Sequence, residues 1–299
     1  MTTQSIPVQG GLQRPASGSA LGRGVGLTQV ASLGNQLGAA TGALAFPAIG
    51  PVGVVAIRQL VAAAVLVPAG RPKFRAMRRA DWLTVTALAL VFSIMNTTVY
   101  IAIDRLGLGL AITLEFLGPL ALVILSARRA IDLIGGLVAV TGVVTLVNPG
   151  PTSDLLGVAI GLVSAAAWAA YILLNRRIGQ TMPGMQGTAT ASLISGVIWI
   201  PIAIAWFTAH PPPLWAIGLA VVCALASSVL PFTIDVIALR MLPAGLFSTL
   251  QSMHPVWAAL VGLVILGQQL TPHELLGIGL VVASNVLVTS TNAVRARRS

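Results

Sequence analysis

Gly109-Leu-Ala-Ile-Thr-Leu-Glu115-Phe-Leu-Gly-Pro119-Leu-Ala-Leu-Val-Ile-Leu125 is an apolar run of a length that can cross a lipid bilayer, and it carries one carboxylate. A charge near the centre of a membrane helix costs about 2.5–3.5 kcal/mol on insertion scales. Such a group is tolerated where it faces a bundle interior or a water-filled cavity. Four residues further on stands Pro119, which has no N–H, so the carbonyl of Glu115 loses its helical partner. The stretch therefore predicts a kinked membrane helix with a titratable side chain beside the kink.

The rest of the chain is of the same kind. Its charged fraction is 8% and its hydrophobic fraction 56%, against about 25% charged in a soluble domain. Mean hydropathy is +0.93. These values exclude a soluble globular enzyme and predict an all-α integral membrane protein. The net charge of +10 does not imply nucleic acid, because the basic residues sit in short clusters between apolar runs. The single cysteine, Cys223, lies inside an apolar run and reads as a small buried hydrophobe.

Residues 1–24 are rich in Gly, Ser, Gln and Pro and read as a disordered cytoplasmic tail. Ten apolar runs of spanning length follow, near 25–46, 52–69, 82–103, 107–126, 130–148, 154–174, 186–207, 214–238, 243–266 and 271–290. A short basic tail covers 291–299. Ten crossings with the N-terminus inside put fifteen of the seventeen basic residues on the cytoplasmic side and only Arg105 outside, with Arg58 inside a span. That is the positive-inside pattern, and it predicts both termini in the cytoplasm.

A shift of 136 positions aligns Ile101-Ala102 with Ile237-Ala238 and Leu106 with Leu242. It also aligns Gly109-Leu110 with Gly245-Leu246, Thr113-Leu114 with Thr249-Leu250, and Pro119 with Pro255. Two five-span halves, residues 25–150 and 151–290, are thus expected. Because five is odd, the second half enters the membrane inverted, an arrangement that places a transporter's site near the midplane. Pro255 frees the carbonyl of Gln251, the position equivalent to Glu115. Pro231 is a third expected kink.

Polar residues recur at helical spacing on several spans: Gln29, Ser32 and Gln36; Asn96 and Tyr100; Trp168, Tyr171 and Asn175; Ser227, Pro231 and Asp235; Gln251 and His254. Together they suggest a wet central path. Trp168 and Tyr171 read either as pocket wall or as interfacial belt. Asp235 reads equally as a transport residue or as a partner of Arg240. Arg58 reads as a carboxylate ligand or as a side chain snorkelling to the outer surface.

The strings Met95-Asn96, Tyr100-Ile-Ala-Ile, Leu114-Glu115-Phe116-Leu-Gly118-Pro119 and Ser126-Ala-Arg128-Arg129 resemble the EamA-type exporters of the drug/metabolite transporter superfamily. Among these the chain is most similar to the bacterial threonine/homoserine exporters. Trp168-Ala-Ala-Tyr171, Leu230-Pro231-Phe and Ser252-Met253-His254-Pro255 extend the likeness, which covers roughly residues 25–290. The resemblance implies a multi-pass protein of the bacterial inner membrane that exports small metabolites, amino acids such as threonine and homoserine, driven by the proton gradient. An exporter of drugs or aromatic cations is the alternative within the superfamily. Two positions depart from the family pattern: His254-Pro255 stands where Glu-Pro is usual, and Gly267-Gln268 where Gly-Glu is usual.

On this reading Glu115 exchanges a proton for the substrate ammonium, with His254 and Asp235 as further proton-coupling candidates. Gln36, Arg58, Asn96, Tyr100, Trp168, Tyr171 and Gln251 join Glu115 around the substrate. The partners are a small-molecule metabolite, protons and the lipid bilayer, and whether two copies form a homodimer stays open. Three His and seven acidic residues are scattered without HExxH or CxxC spacing. Neither an enzyme nor a cofactor or metal site is expected.

Overall fold

The computed structural model describes residues 18–125, 130–147, 154–182, 185–229, 242 and 250–296. These are helical, with no strand among them. In chain order the helices are α1 (Gly18–Ala43), α2 (Phe46–Gly70), α3 (Arg79–Leu106), α4 (Leu108–Glu115), α5 (Leu117–Leu125) and α6 (Ala130–Val147). They continue with α7 (Leu155–Thr181), α8 (Gln186–Ala209), α9 (Leu214–Ala224), α10 (His254–Leu266) and α11 (Pro272–Ala296). By length and composition α2, α3, α7 and α8 can each cross a membrane, and five shorter apolar helices lie among the described residues.

Apolar side chains fill the core and also cover the outside, and some polar ones are fully buried. Gln36, Thr113 and Ser195 have no exposed surface, while Leu125, Leu137 and Val264 are 83%, 69% and 74% exposed. Large apolar side chains on the outside and polar ones within is the distribution lipid selects, since hydrocarbon solvates Leu and Val and leaves amides and hydroxyls to find partners inside.

Three expectations are corrected in detail. Helix α1 starts at Gly18, so residues 18–24 belong to a helix and not to the tail. Helix α2 reaches back to Phe46 across a kink at Gly50, whose φ of 66° suits a residue without Cβ just ahead of Pro51. The run 107–126 is two helices, α4 and α5, separated at Phe116. The kink expected near Pro119 is therefore a full break beside Glu115: Pro119 sits in the first turn of α5, where a missing N–H costs nothing. A turn at Ser252-Met253 precedes α10 in the same way, 136 positions after the first, with Pro255 in the first turn of α10. Pro231, Asp235, Arg240, Arg128 and Arg129 lie outside the described residues.

The helices pack in a set of pairs that reads the same from either half. Helix α4 lies on α10, α2 on α8 and α6 on α11. Helix α3 contacts α7 and α8, α1 contacts α9 and α10, and α2 contacts α9. Small residues set the approach. A Cβ on Gly109 would lie 3.1 Å from Cα of Ala259, and one on Gly118 would collide with the carbonyl oxygen of Ala165. Backbones this close are the membrane substitute for hydrophobic association.

Candidate functional site

A cavity of about 380 Å³ lies between α1, α2, α3, α4, α7 and α8, with both helix breaks on its wall. That is the lower end of the range for small-molecule sites. Along α2 its lining runs from Arg58 through Ala62 to Leu66, and on α8 it includes Ser192 and Thr188. The cavity thus extends toward the end of the bundle that carries Arg71, Lys73, Arg75, Arg78 and Arg79.

Glu115 is the last residue of α4 and is 9% exposed. Its Oε1 accepts a hydrogen bond from Ser164 Oγ of α7 at 2.8 Å. Phe116, in the break, turns its ring onto the cavity wall and stacks edge-on against Trp168, with centroids 4.8 Å apart. It also faces His254, at 5.4 Å. The Glu115 carboxylate and the Phe116 ring, consecutive at the break, both border the cavity.

Arg58 stands across the cavity on α2. Its Nη1 donates to Tyr100 Oη at 2.9 Å, and Tyr100 Oη is in turn 2.9 Å from Cys223 Sγ. The phenol is buried and fully engaged, so it holds the guanidinium in place. Arg58 so held borders the cavity. Arg58 and Glu115 make no ion pair with each other. Among the described residues the one ion pair is Arg105–Asp154, at 2.8 Å.

The second break carries a hydrogen-bonded chain instead of a charge. Ser32 Oγ donates to Gln251 Oε1 at 3.3 Å, and His254 Nε2 lies 2.6 Å from the same oxygen. Gln36 Nε2 lies 3.2 Å from His254 Nδ1. An amide oxygen only accepts and an amide nitrogen only donates. With the two amides in these orientations, the neutral imidazole donates through Nε2 and accepts through Nδ1.

All the substrate-site candidates, Gln36, Arg58, Asn96, Tyr100, Glu115, Trp168, Tyr171 and Gln251, border this one cavity, as does His254. Trp168 and Tyr171 are wall and not interfacial belt. Asn96 donates to the carbonyl of Phe92 at 2.8 Å, four residues back on its own helix. Asp235 lies outside the described residues. Several residues of the site escaped sequence reasoning. Ser164, which bonds Glu115 without lining the cavity, is the clearest; it precedes Trp168 by four and Tyr171 by seven positions, so the polar face of α7 extended to it. Thr188 and Ser192 share a helical face at i and i+4 that the sequence reading passed over, and Gln59 had no such periodic signal. Among the described residues no three His, Cys, Asp or Glu side chains gather as a metal site would need.

Two contacts lie at the opposite end of the bundle. Arg105, after the apolar part of α3, donates to Asp154, which also caps α7 by accepting from Gly157 N at 2.9 Å. These bonds, Arg105 first, hold the Asp154 carboxyl below the usual carboxylate range. Gln268, one of the two departures from the family pattern, accepts from Leu108 N at 2.9 Å and so caps α4 from the segment that follows α10.

Comparison with known proteins places these features in context. Residues 155–290 match the EamA-like transporter family. The chain is 35% identical over 271 residues to the threonine/homoserine exporter RhtA of Escherichia coli (strain K12), covering 88% of this chain and 90% of that protein. It is 34% identical over 265 residues to the exporter of the same name from Salmonella typhimurium (strain SL1344), covering 86% and 88%. It is also 24% identical to the uncharacterized transporter YwfM of Bacillus subtilis (strain 168), over 46% of each chain. A solved crystal structure superposes with a TM-score of 0.56 at 20% identity, covering 93% of this chain and 99% of that one, a likeness of fold alone.

Proposed function

The chain belongs to the EamA-like transporter family of the drug/metabolite transporter superfamily, a multi-pass transporter of the bacterial inner membrane, and from that premise we propose that it exports small hydroxylated amino acids such as threonine and homoserine by proton antiport. One observation carries the substrate class. A buried carboxylate, Glu115, and a guanidinium, Arg58, border one cavity without pairing with each other. Two opposite charges held apart in a poorly solvating interior are costly. A zwitterion meets both: its ammonium at Glu115, its carboxylate at Arg58, where two parallel N–H···O bonds suit the guanidinium fork.

Coupling follows from the same carboxylate. Glu115 binds either a proton or an ammonium. A proton arriving from outside displaces the substrate, and its loss to the cytoplasm restores the site. His254 is the second proton-coupling candidate, because it can take a proton on Nδ1 once Gln36 turns its amide. Asp235 keeps its candidacy from the sequence.

Alternating access is supported by the two ends. Under the positive-inside rule the cavity extends toward the cytoplasm, while Arg105–Asp154 and Gln268–Leu108 lie at the outer end. The helix pairs that read alike from either half support two inverted five-helix repeats in a ten-span bundle with both termini inside. Rocking of one half on the other would break the outer contacts and close the inner opening.

A second reading, export of aromatic cations, is favoured by Phe116, Trp168 and Tyr171 beside Glu115. Purified protein in liposomes separates the two. Threonine and homoserine flux that grows with an imposed pH gradient is the expected result. Flux of cationic dyes without amino-acid flux would assign the second reading.

A further inference from the structure

Two buried side-chain polar atoms among the described residues lack a hydrogen-bond partner: Oε1 of Gln36 and Nε1 of Trp199. Only Gln36 borders the cavity. Its side chain is fully buried. More than nine in ten buried polar groups in folded proteins are paired, so an orphan on a binding-site wall points to a ligand atom. We propose that Gln36 Oε1 receives the side-chain hydroxyl of the substrate, and that His254 is the positioning residue that presents this oxygen.

The proposal rests on the amino-acid reading above and deepens it. Glu115 takes the ammonium and Arg58 the carboxylate, which uses both charged groups and leaves the substrate side chain to be read. A hydroxyl there needs an acceptor, and the hydrogen bonds decide which end of Gln36 is free. Gln251 Oε1 accepts from both Ser32 and His254 Nε2. That leaves His254 Nδ1 with only a lone pair, and Gln36 meets it with its N–H. The amide nitrogen being committed, the oxygen is what remains. While His254 is neutral, the second helix break thus fixes the polarity of one amide.

A site built to bond a hydroxyl rejects the isostere that lacks it, because the buried acceptor is then left bare. Threonine and valine differ in one hydroxyl against one methyl. The experiment measures both fluxes with the purified full-length protein in liposomes. The wild type is expected to favour threonine. Gln36→Met, of similar volume, is expected to lower the threonine-to-valine ratio about tenfold, by raising the relative entry of valine. His254→Leu, which releases the amide, is expected to lower it about threefold. An effect on folding or on the rocking motion would scale both substrates together and leave the ratio unchanged, and that result overturns the proposal. If Gln36→Met does not assemble, competition against labelled threonine on the wild type decides. Homoserine must then compete better than its deoxy analogue 2-aminobutyrate, and equal competition overturns the assignment. Equal transport of threonine and valine would sink the hydroxyl subsite while leaving amino-acid export standing; no flux of any amino acid would sink both.

Discussion

The turn after Glu115 and the turn after Gln251 lie 136 positions apart, each ahead of a proline, and both face the cavity. The first holds a carboxylate with a single hydroxyl partner, Ser164. The second holds Gln251 and His254, linked to Gln36 of α1 in a chain of neutral groups that leaves Gln36 Oε1 without a partner. The same backbone device thus serves two purposes. A lightly bonded charge can exchange its ligand, whereas a chain of neutral groups defines a direction. On the proposed function, asymmetry of this kind would divide charge binding at one break from shape reading at the other.

The largest expected effect comes from erasing the difference. Glu115→Gln makes the first break neutral like the second, and export against a gradient should fall at least about 30-fold and cease to respond to an imposed pH difference. The double change Glu115→Gln with Gln251→Glu moves the carboxylate to the other break. Restoration of pH-driven flux by that swap would break the comparison, because the place of the charge would then not matter.

Removing the opposite pole comes next. Arg58→Met should raise KM for amino acids about 30-fold with a smaller change in kcat, measured as initial rates in liposomes. Tyr100→Phe keeps the cation but frees it from the phenol, and should cost about tenfold or less in the same assay. The gap between these two variants measures how much of Arg58's contribution is position.

Smaller still is the loss of the first break's own support. Ser164→Ala leaves Glu115 without its hydroxyl partner and should weaken transport a few-fold, by about 1 kcal/mol. An effect as large as that of Glu115→Gln would mean that the hydroxyl belongs to the proton path.

The weakest contrast lies outside the cavity. The Asp154 carboxyl is held below its ordinary range chiefly by Arg105 and then by Gly157 N. A carboxyl lowered in the folded state contributes stability above its unfolded pKa of about 3.9 and loses it as pH falls through the folded value. Thermal melts of the wild type and Asp154→Asn in detergent should therefore differ slightly at pH 7 and converge in strong acid. High salt should shrink the difference further, since the pair is exposed.

Much of this was legible in the linear chain. Helical class, the two prolines, the polar faces and the carboxylate all follow from composition and spacing, because lipid leaves a segment few ways to satisfy its backbone. What escaped was whatever depends on a neighbour from elsewhere in the chain. Ser164 differs from other serines only in standing opposite Glu115. Tyr100 was legible as a polar residue of the path, but not that its hydroxyl meets Arg58 and Cys223. Gln268 looked like a lost acid and is a helix cap on α4.

The sequence by itself determined that the chain is a helical membrane protein with one costly charge beside a proline in its fourth apolar run. It did so because hydropathy, period and proline chemistry act within a few residues of each other along the chain. Only the tertiary structure decided that Arg58 faces Glu115 across one cavity, that the two stay unpaired, and that a single amide oxygen of Gln36 is left over. Those facts concern distances between helices that are far apart in sequence. Hydrogen-bond polarity is settled only once every donor has met its acceptor.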